Sequence, residues 1–128
     1  MNKVYVTGMG SINPLAHNVP GTWEAIQEGK CGIAEITAYD TSKRKVTLAA
    51  EVKDYQAENY FPAKEARHMD RFIQFAVIAS KEAKENAQLA ELVNPYRVGV
   101  IVSSGIGGIG TIESEHQRAI EKDAIDRV

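Results

Sequence analysis

Arg97-Val98-Gly99-Val100-Ile101-Val102-Ser103-Ser104, continued by Gly105-Ile106-Gly107-Gly108-Ile109-Gly110, is the stretch that decides how the rest of the chain is read. Its first half is an almost unbroken β-branched apolar run. That pattern suits a strand covered on both faces, as in a parallel sheet packed between helix layers. The glycine-rich turn that follows tolerates positive φ and very close backbone approach, so something, a ligand or another element, docks against it. Beyond Gly110 a helix is predicted, with Ile112, His116, Ala119, Ile120 and Ala124 on one face.

The same logic runs outward from this stretch. Lys3-Val4-Tyr5-Val6-Thr7, ending in Gly8-Met9-Gly10, predicts a first buried strand and a turn. Asn18-Val19-Pro20-Gly21 carries helix-start chemistry, and Thr22 to Glu28 reads as an amphipathic helix with Trp23 and Ile26 inward and Gly29 as its stop. Residues 30–45 read as irregular, with a turn at Asp40-Thr41-Ser42, and Val46 to Val52 reads as a strand near an edge. Pro62 opens a helix over about Ala63 to Gln88. From Phe72 to Ala79 this helix is apolar on almost every side, which predicts burial all round. In its early turns Lys64, Arg67, His68 and Arg71 fall at i, i+3, i+4 and i+7 and form one basic stripe. The stripe reads either as a solvated charged face or as a docking patch for an acidic partner. The order β, short α, β, long α, β, α predicts an α/β domain, residues 1–128, with a mainly parallel sheet between helices.

Composition narrows the function classes. Fifteen Lys and Arg against seventeen Asp and Glu give a net charge of −2, so no global field favours nucleic acid or a membrane surface, and electrostatic recognition has to be local. The single cysteine, Cys31, excludes an internal disulfide framework and a multi-cysteine zinc site, which fits a reducing compartment, the cytoplasm by default. No signal peptide and no bilayer-spanning stretch is expected. The three histidines are too scattered for a metal site. At Ile125-Asp126-Arg127-Val128 a new apolar run begins with no helix stop, as in a piece of a longer protein.

Gly105-Ile106-Gly107-Gly108-Ile109-Gly110 formally satisfies the dinucleotide pattern G-x-G-x-x-G, but the acidic residue expected at the end of the next strand has no place before the chain stops. Gly8-Met9-Gly10 starts a similar pattern and meets Asn13 where the third glycine belongs. No Walker lysine follows either loop. Cys31 invites a nucleophile reading with His17 or His68 as base, yet no strand-to-helix elbow presents it, and a small buried or semi-buried thiol is the simpler reading.

Several blocks together point to one family: Val4 to Gly10, Gly29-Lys30-Cys31-Gly32-Ile33, Ala50-Glu51-Val52-Lys53-Asp54, Lys64 to Gln74, and Ser103-Ser104-Gly105-Ile106-Gly107-Gly108. In order and spacing they resemble the start of the β-ketoacyl-acyl-carrier-protein synthases, most nearly the elongating type II enzymes of bacterial fatty-acid synthesis. The resemblance covers the whole chain and displaces the dinucleotide reading. It implies the thiolase-like fold, two similar halves packed as α-β-α-β-α layers, a homodimer, and condensation of an acyl thioester with malonyl-ACP, with loss of carbon dioxide. It implies no cofactor, since substrates ride on the phosphopantetheine of acyl-carrier protein. The family's catalytic cysteine and two histidines have no counterpart here, so no catalytic residue is expected in this chain and the piece alone is expected to be inert. Lys64 and Arg67 match basic positions that dock the carrier protein, and Arg71 extends the stripe. His68 replaces the usual lysine or arginine with a group whose charge depends on pH. Arg127 matches a further basic position, beside Asp126, which replaces one. Ile106 matches the isoleucine bordering the acyl-chain pocket near the dimer interface, flanked by Gly105, Gly107 and Gly108. The alternative from another class is a stand-alone carrier-protein or acyl-chain binding module.

Overall fold

The computed structural model describes residues 3–89 and 94–121. The chain divides into two compact units, Met1–Gln56 with Val77–Gly99, and Ala57–Ala76 with Val100–Val128.

The first unit opens on the glycine segment. A Cβ on Gly10 would strike the carbonyl of Ala79, and one on Gly8 would strike the carbonyl of Ala83. The segment therefore lies directly on the alanine stripe Ala79, Ala83, Ala87 of the helix α3 (Arg71–Asn86). Polar side chains of the same helix fasten it there. The Met9 amide donates to Asn86 Oδ1 at 3.3 Å, and the Ser11 amide donates to Glu82 Oε2 at 2.8 Å. The other Glu82 oxygen accepts the Val19 amide at 2.8 Å, at the start of α1 (Val19–Gln27). A carboxylate there faces the positive end of the helix dipole.

Helix α1 begins and ends as its residues predict. Asn18 caps it by accepting the Gly21 amide at 2.8 Å. At its other end Gly29 adopts φ +69°, its amide donates to the Ile26 carbonyl, and the Lys30 amide donates to Ala25. These paired bonds are the Schellman arrangement that glycine permits. The orientation of α1 departs from expectation. Ala25 is its buried residue, whereas Trp23 is 60% exposed and Ile26 also faces outward. The small Ala25 takes the inward position, which leaves the large side chains outside.

The one sheet among the described residues joins β1 (Ala34–Glu35) to β2 (Leu48–Ala49), antiparallel, with Ala34 opposite Ala49 and Glu35 opposite Leu48. β2 falls inside the predicted edge strand, whereas β1 falls in the region read as irregular. The turn between them is the one predicted. Asp40 accepts both the amide and the hydroxyl of Ser42, each at 2.9 Å. The amide first and the hydroxyl second hold the Asp40 carboxyl below the ordinary carboxylate value, because both donors favour its charged form. A lowered folded-state pKa means stabilisation that is complete above the ordinary value and fades as pH falls through the lowered one. The Ser42 amide resonance should therefore titrate below the range of a free aspartate, and Ser42→Ala should move the midpoint part of the way back. A wild-type midpoint at the ordinary value would refute the turn's role.

Three further expectations are corrected. The runs 3–7 and 98–104 lie outside any sheet ladder and are exposed, with Val4 at 93% and Ile101 at 97%. A parallel strand is stabilised by neighbours on both edges and helices on both faces, and the described residues supply none to these runs. The long helix predicted from Ala63 to Gln88 is two helices, α2 (Ala63–Ala66) and α3, broken at Arg67 to Asp70. Nor is α3 buried all round. Gln74 and Ile78 are buried, while Phe72 and Ile73 reach the surface.

The second unit is built on that break. Beyond it, α4 (Ile109–Glu121) forms the predicted terminal helix, with Ile112 and Ile120 exposed. Ala124 lies outside the described residues. Among those residues, no helix is long and apolar enough to cross a membrane.

Candidate functional site

The basic residues sit on the corner between α2 and α3. Pro62 stands just before α2, Lys64 lies within it, and Arg67 ends it in helical geometry. The amides of His68 and Met69 then donate to Glu65 and Ala66 at 3.0 and 3.3 Å, which tightens the chain into a turn. Gln74, only 7% exposed, holds that turn from inside. Its Nε2 donates to the Ala66 carbonyl at 3.0 Å and to the Met69 carbonyl at 2.9 Å, so carbonyls released by the end of α2 find a partner. The corner thus keeps the basic residues together without a continuous helix. Lys64, Arg67 and His68 are exposed, and Lys64 and His68 border an open depression with Glu65 and Met69. Arg71 turns its guanidinium over the Phe75 ring, 5.3 Å from its centre, which fixes that cation on the flank of the corner.

The glycine loop lies against the same corner. Gly107 has φ +78°, and its amide donates to Ser104 Oγ at 3.0 Å. A Cβ on it would lie 3.5 Å from the Phe72 ring, and one on Gly108 would overlap the Asp70 carboxylate. That carboxylate also accepts the hydroxyl of Thr111, in the first turn of α4. The negative charge favoured at a helix start is therefore supplied by the chain itself, worth about 0.3–1 kcal/mol at an exposed site. A dinucleotide pyrophosphate approaching this loop would meet Asp70, and the geometry argues against that reading. Ile106 stands 73% exposed at the tip of the loop, an apolar side chain held out by its glycine neighbours.

The other candidates separate. His17 and Cys31 border one cavity of about 450 Å³ with Lys30, Lys53 and Asp54. His17 Nε2 lies 2.8 Å from the Lys53 carbonyl oxygen, and its ring meets Tyr55 edge-on. It is thus occupied structurally and is not aimed as a base at the Cys31 thiol, which is exposed and not buried or half-buried as expected, because the cavity it borders opens to solvent. Lys30 pairs with Glu28, which holds its pKa above the ordinary lysine value through the hydrogen bond first and charge second. Among the described residues, no group of three or more His, Cys, Asp or Glu could hold a metal ion. Arg127 and Asp126 lie outside the described residues. Sequence reasoning missed Gln74 and Asp70. Both looked like ordinary polar positions of a long helix, and only the break at the corner gives them their partners.

The pattern of the beta-ketoacyl synthase N-terminal domain matches residues 1–127. The chain belongs to the β-ketoacyl synthase family. The 3-oxoacyl-[acyl-carrier-protein] synthase 2 of Staphylococcus aureus strain COL is 43% identical over 121 residues, which is 94% of this chain and 29% of that protein. The enzyme of the same name from Vibrio cholerae serotype O1 is 40% identical over 121 residues, with the same coverage. Among solved structures, the ishigamide ketosynthase/chain length factor superposes with a TM-score of 0.68 at 22% identity, over 92% of this chain and 30% of that one. This likeness establishes a ketosynthase fold and bears out the thiolase-like class, although the parallel sheet of that class is not assembled among the described residues. The chain spans 29% of the length of the S. aureus and V. cholerae relatives. In this β-ketoacyl synthase chain, the basic corner gathers exposed cations and the glycine loop holds out Ile106.

Proposed function

We propose that this chain is the N-terminal portion of a 3-oxoacyl-ACP synthase of the second type, and that it contributes the carrier-protein docking corner and one wall of the acyl-chain site. The reaction of such an enzyme joins an acyl thioester to malonyl-ACP with release of carbon dioxide, and this portion recognises substrate without supplying the nucleophile. In the complete homodimer the acyl chain arrives on the phosphopantetheine of the carrier protein. No further cofactor is required.

The observation that carries this reading is the set of exposed cations, Lys64 and Arg67 with His68 beside them, on a corner whose backbone is fixed by the buried Gln74. Exposed cations lose little hydration until the partner arrives, and their field steers an acidic protein toward the corner. Ile106, one loop away, offers the apolar wall that an acyl chain requires.

The test is a titration of acyl-carrier protein against the labelled chain at low and moderate salt. Wild type should bind, more weakly as salt rises. The double reversal Lys64→Glu, Arg67→Glu should weaken binding about tenfold or more and flatten the salt dependence, since exposed charge pairs contribute about 0.2–1 kcal/mol each and reversal turns attraction into repulsion. A flat wild-type titration with well-folded protein would sink the proposal.

A further inference from the structure

We infer that Asp70 is a positioning residue that makes the basic corner and the glycine loop one mechanical piece, so that an acidic protein seated on the corner also stiffens the loop. The inference rests on the docking role proposed above, and its first test is independent of it.

Asp70 is tied in both directions. Toward the corner, its main-chain carbonyl accepts the Gln74 amide at 3.1 Å, and the Gln74 side chain returns to the carbonyls of Ala66 and Met69. Asp70 therefore cannot shift without disturbing the turn that displays Arg67 and His68. Toward the loop, its carboxylate accepts the Thr111 hydroxyl and lies where Gly108 leaves room by lacking a Cβ. Two residues further on, the Phe72 ring packs against Gly107. The connecting side chains are short. Aspartate and threonine have few rotatable bonds between backbone and contact, so movement on one side is passed on rather than absorbed in rotamer changes. The loop that carries Ile106 is thus attached, through Gly107, Gly108 and Thr111, to the residue that closes the corner.

The experiment is amide hydrogen exchange on the isotopically labelled chain. It follows the Gly107 amide, bonded to Ser104 Oγ, and the Met69 amide, bonded to the Ala66 carbonyl. In carrier-free protein, Thr111→Val should speed exchange at both amides by the same factor, about tenfold for a lost hydrogen bond to a charged acceptor. Thr111→Ser, which keeps the hydroxyl, should restore both. A change at Gly107 alone, or a factor below about two at both amides, would overturn the coupling. If Thr111→Val loses its helical circular dichroism, Asp70→Asn carries the same comparison, with a smaller and again equal acceleration at the two amides. With acyl-carrier protein added, exchange should slow at both amides in wild type and only at Met69 in Thr111→Val. Equal slowing of Gly107 in the two proteins would also overturn the inference. Failure of the carrier protein to bind at all removes the docking role, and the carrier-free comparison still decides whether corner and loop move together.

Discussion

Gly10→Ala is expected to destabilise the chain by at least about 3 kcal/mol, enough to leave much of it unfolded if its stability is near the low end for a small domain. The added Cβ would fall on the carbonyl oxygen of Ala79, with the carbonyl carbon and the Ala83 amide nitrogen both 2.8 Å away. All three are backbone atoms of α3. No rotamer change can move them, so either the helix or the glycine segment must lift, and the bonds from Met9 to Asn86 and from Ser11 to Glu82 lengthen with it. Gly110→Ala is the control. It lies in α4 with open space around it, and alanine there should be neutral or stabilising by up to about 1 kcal/mol. Urea titrations followed by far-UV circular dichroism compare the variants, with the midpoint reporting stability as long as the slope holds. Equal midpoints for Gly10→Ala and wild type would show that the glycine segment does not rest on the helix.

The glycine result bears on what was legible in the residues. Gly8-Met9-Gly10 matches the start of the dinucleotide pattern, but what the two glycines approach is the alanine stripe Ala79, Ala83, Ala87. A glycine announces close approach without naming the approaching group. Local signals carried further where the partner is itself local. The helix start within Asn18 to Gly21, the Gly29 stop, the Asp40–Ser42 turn and the terminal helix all appear as read, because each depends on groups a few residues away. The strand readings at 3–7 and 98–104 needed distant neighbours, and a β-branched run states a preference without supplying the adjacent strand. The break in the long helix has no backbone signal in the residues. No Pro or Gly interrupts Ala63 to Gln88, and the corner is held by side chains, Gln74 on the Ala66 and Met69 carbonyls and the distant Thr111 on Asp70. Within the candidate site, the grouping of Lys64, Arg67 and His68 survived the loss of the continuous helix, because a tight turn also brings i, i+3 and i+4 together. Their link to the glycine loop through Asp70 had no sequence signal.

Glu82→Ala should cost about 2–3 kcal/mol, the second large effect, through a different mechanism. Each carboxylate oxygen of Glu82 accepts one main-chain amide, Ser11 on Oε2 and Val19 on Oε1, both at 2.8 Å. These are charge-assisted bonds to partly buried donors, and hydrogen bonds to charged groups contribute about 1.5–3 kcal/mol each before water replaces part of the loss. Truncation leaves both donors dependent on water and frees the start of α1 from α3. Glu82→Gln separates geometry from chemistry, since its size is nearly unchanged but only one of its two terminal atoms can accept. Its NH2 group would face a backbone N–H, donor against donor. Gln should therefore recover less than half of what Ala loses. The same urea titration measures this, and amide exchange at Ser11 and Val19 gives a local check, with both amides faster in Ala and one of them still protected in Gln. Full recovery by Gln would mean that Glu82 acts by filling space and not by accepting two amides. The glycine segment would then be held on α3 by the close contact at Gly8 and Gly10 and by the Met9 bond to Asn86, and the helix face that receives it would depend on the small size of Ala79, Ala83 and Ala87.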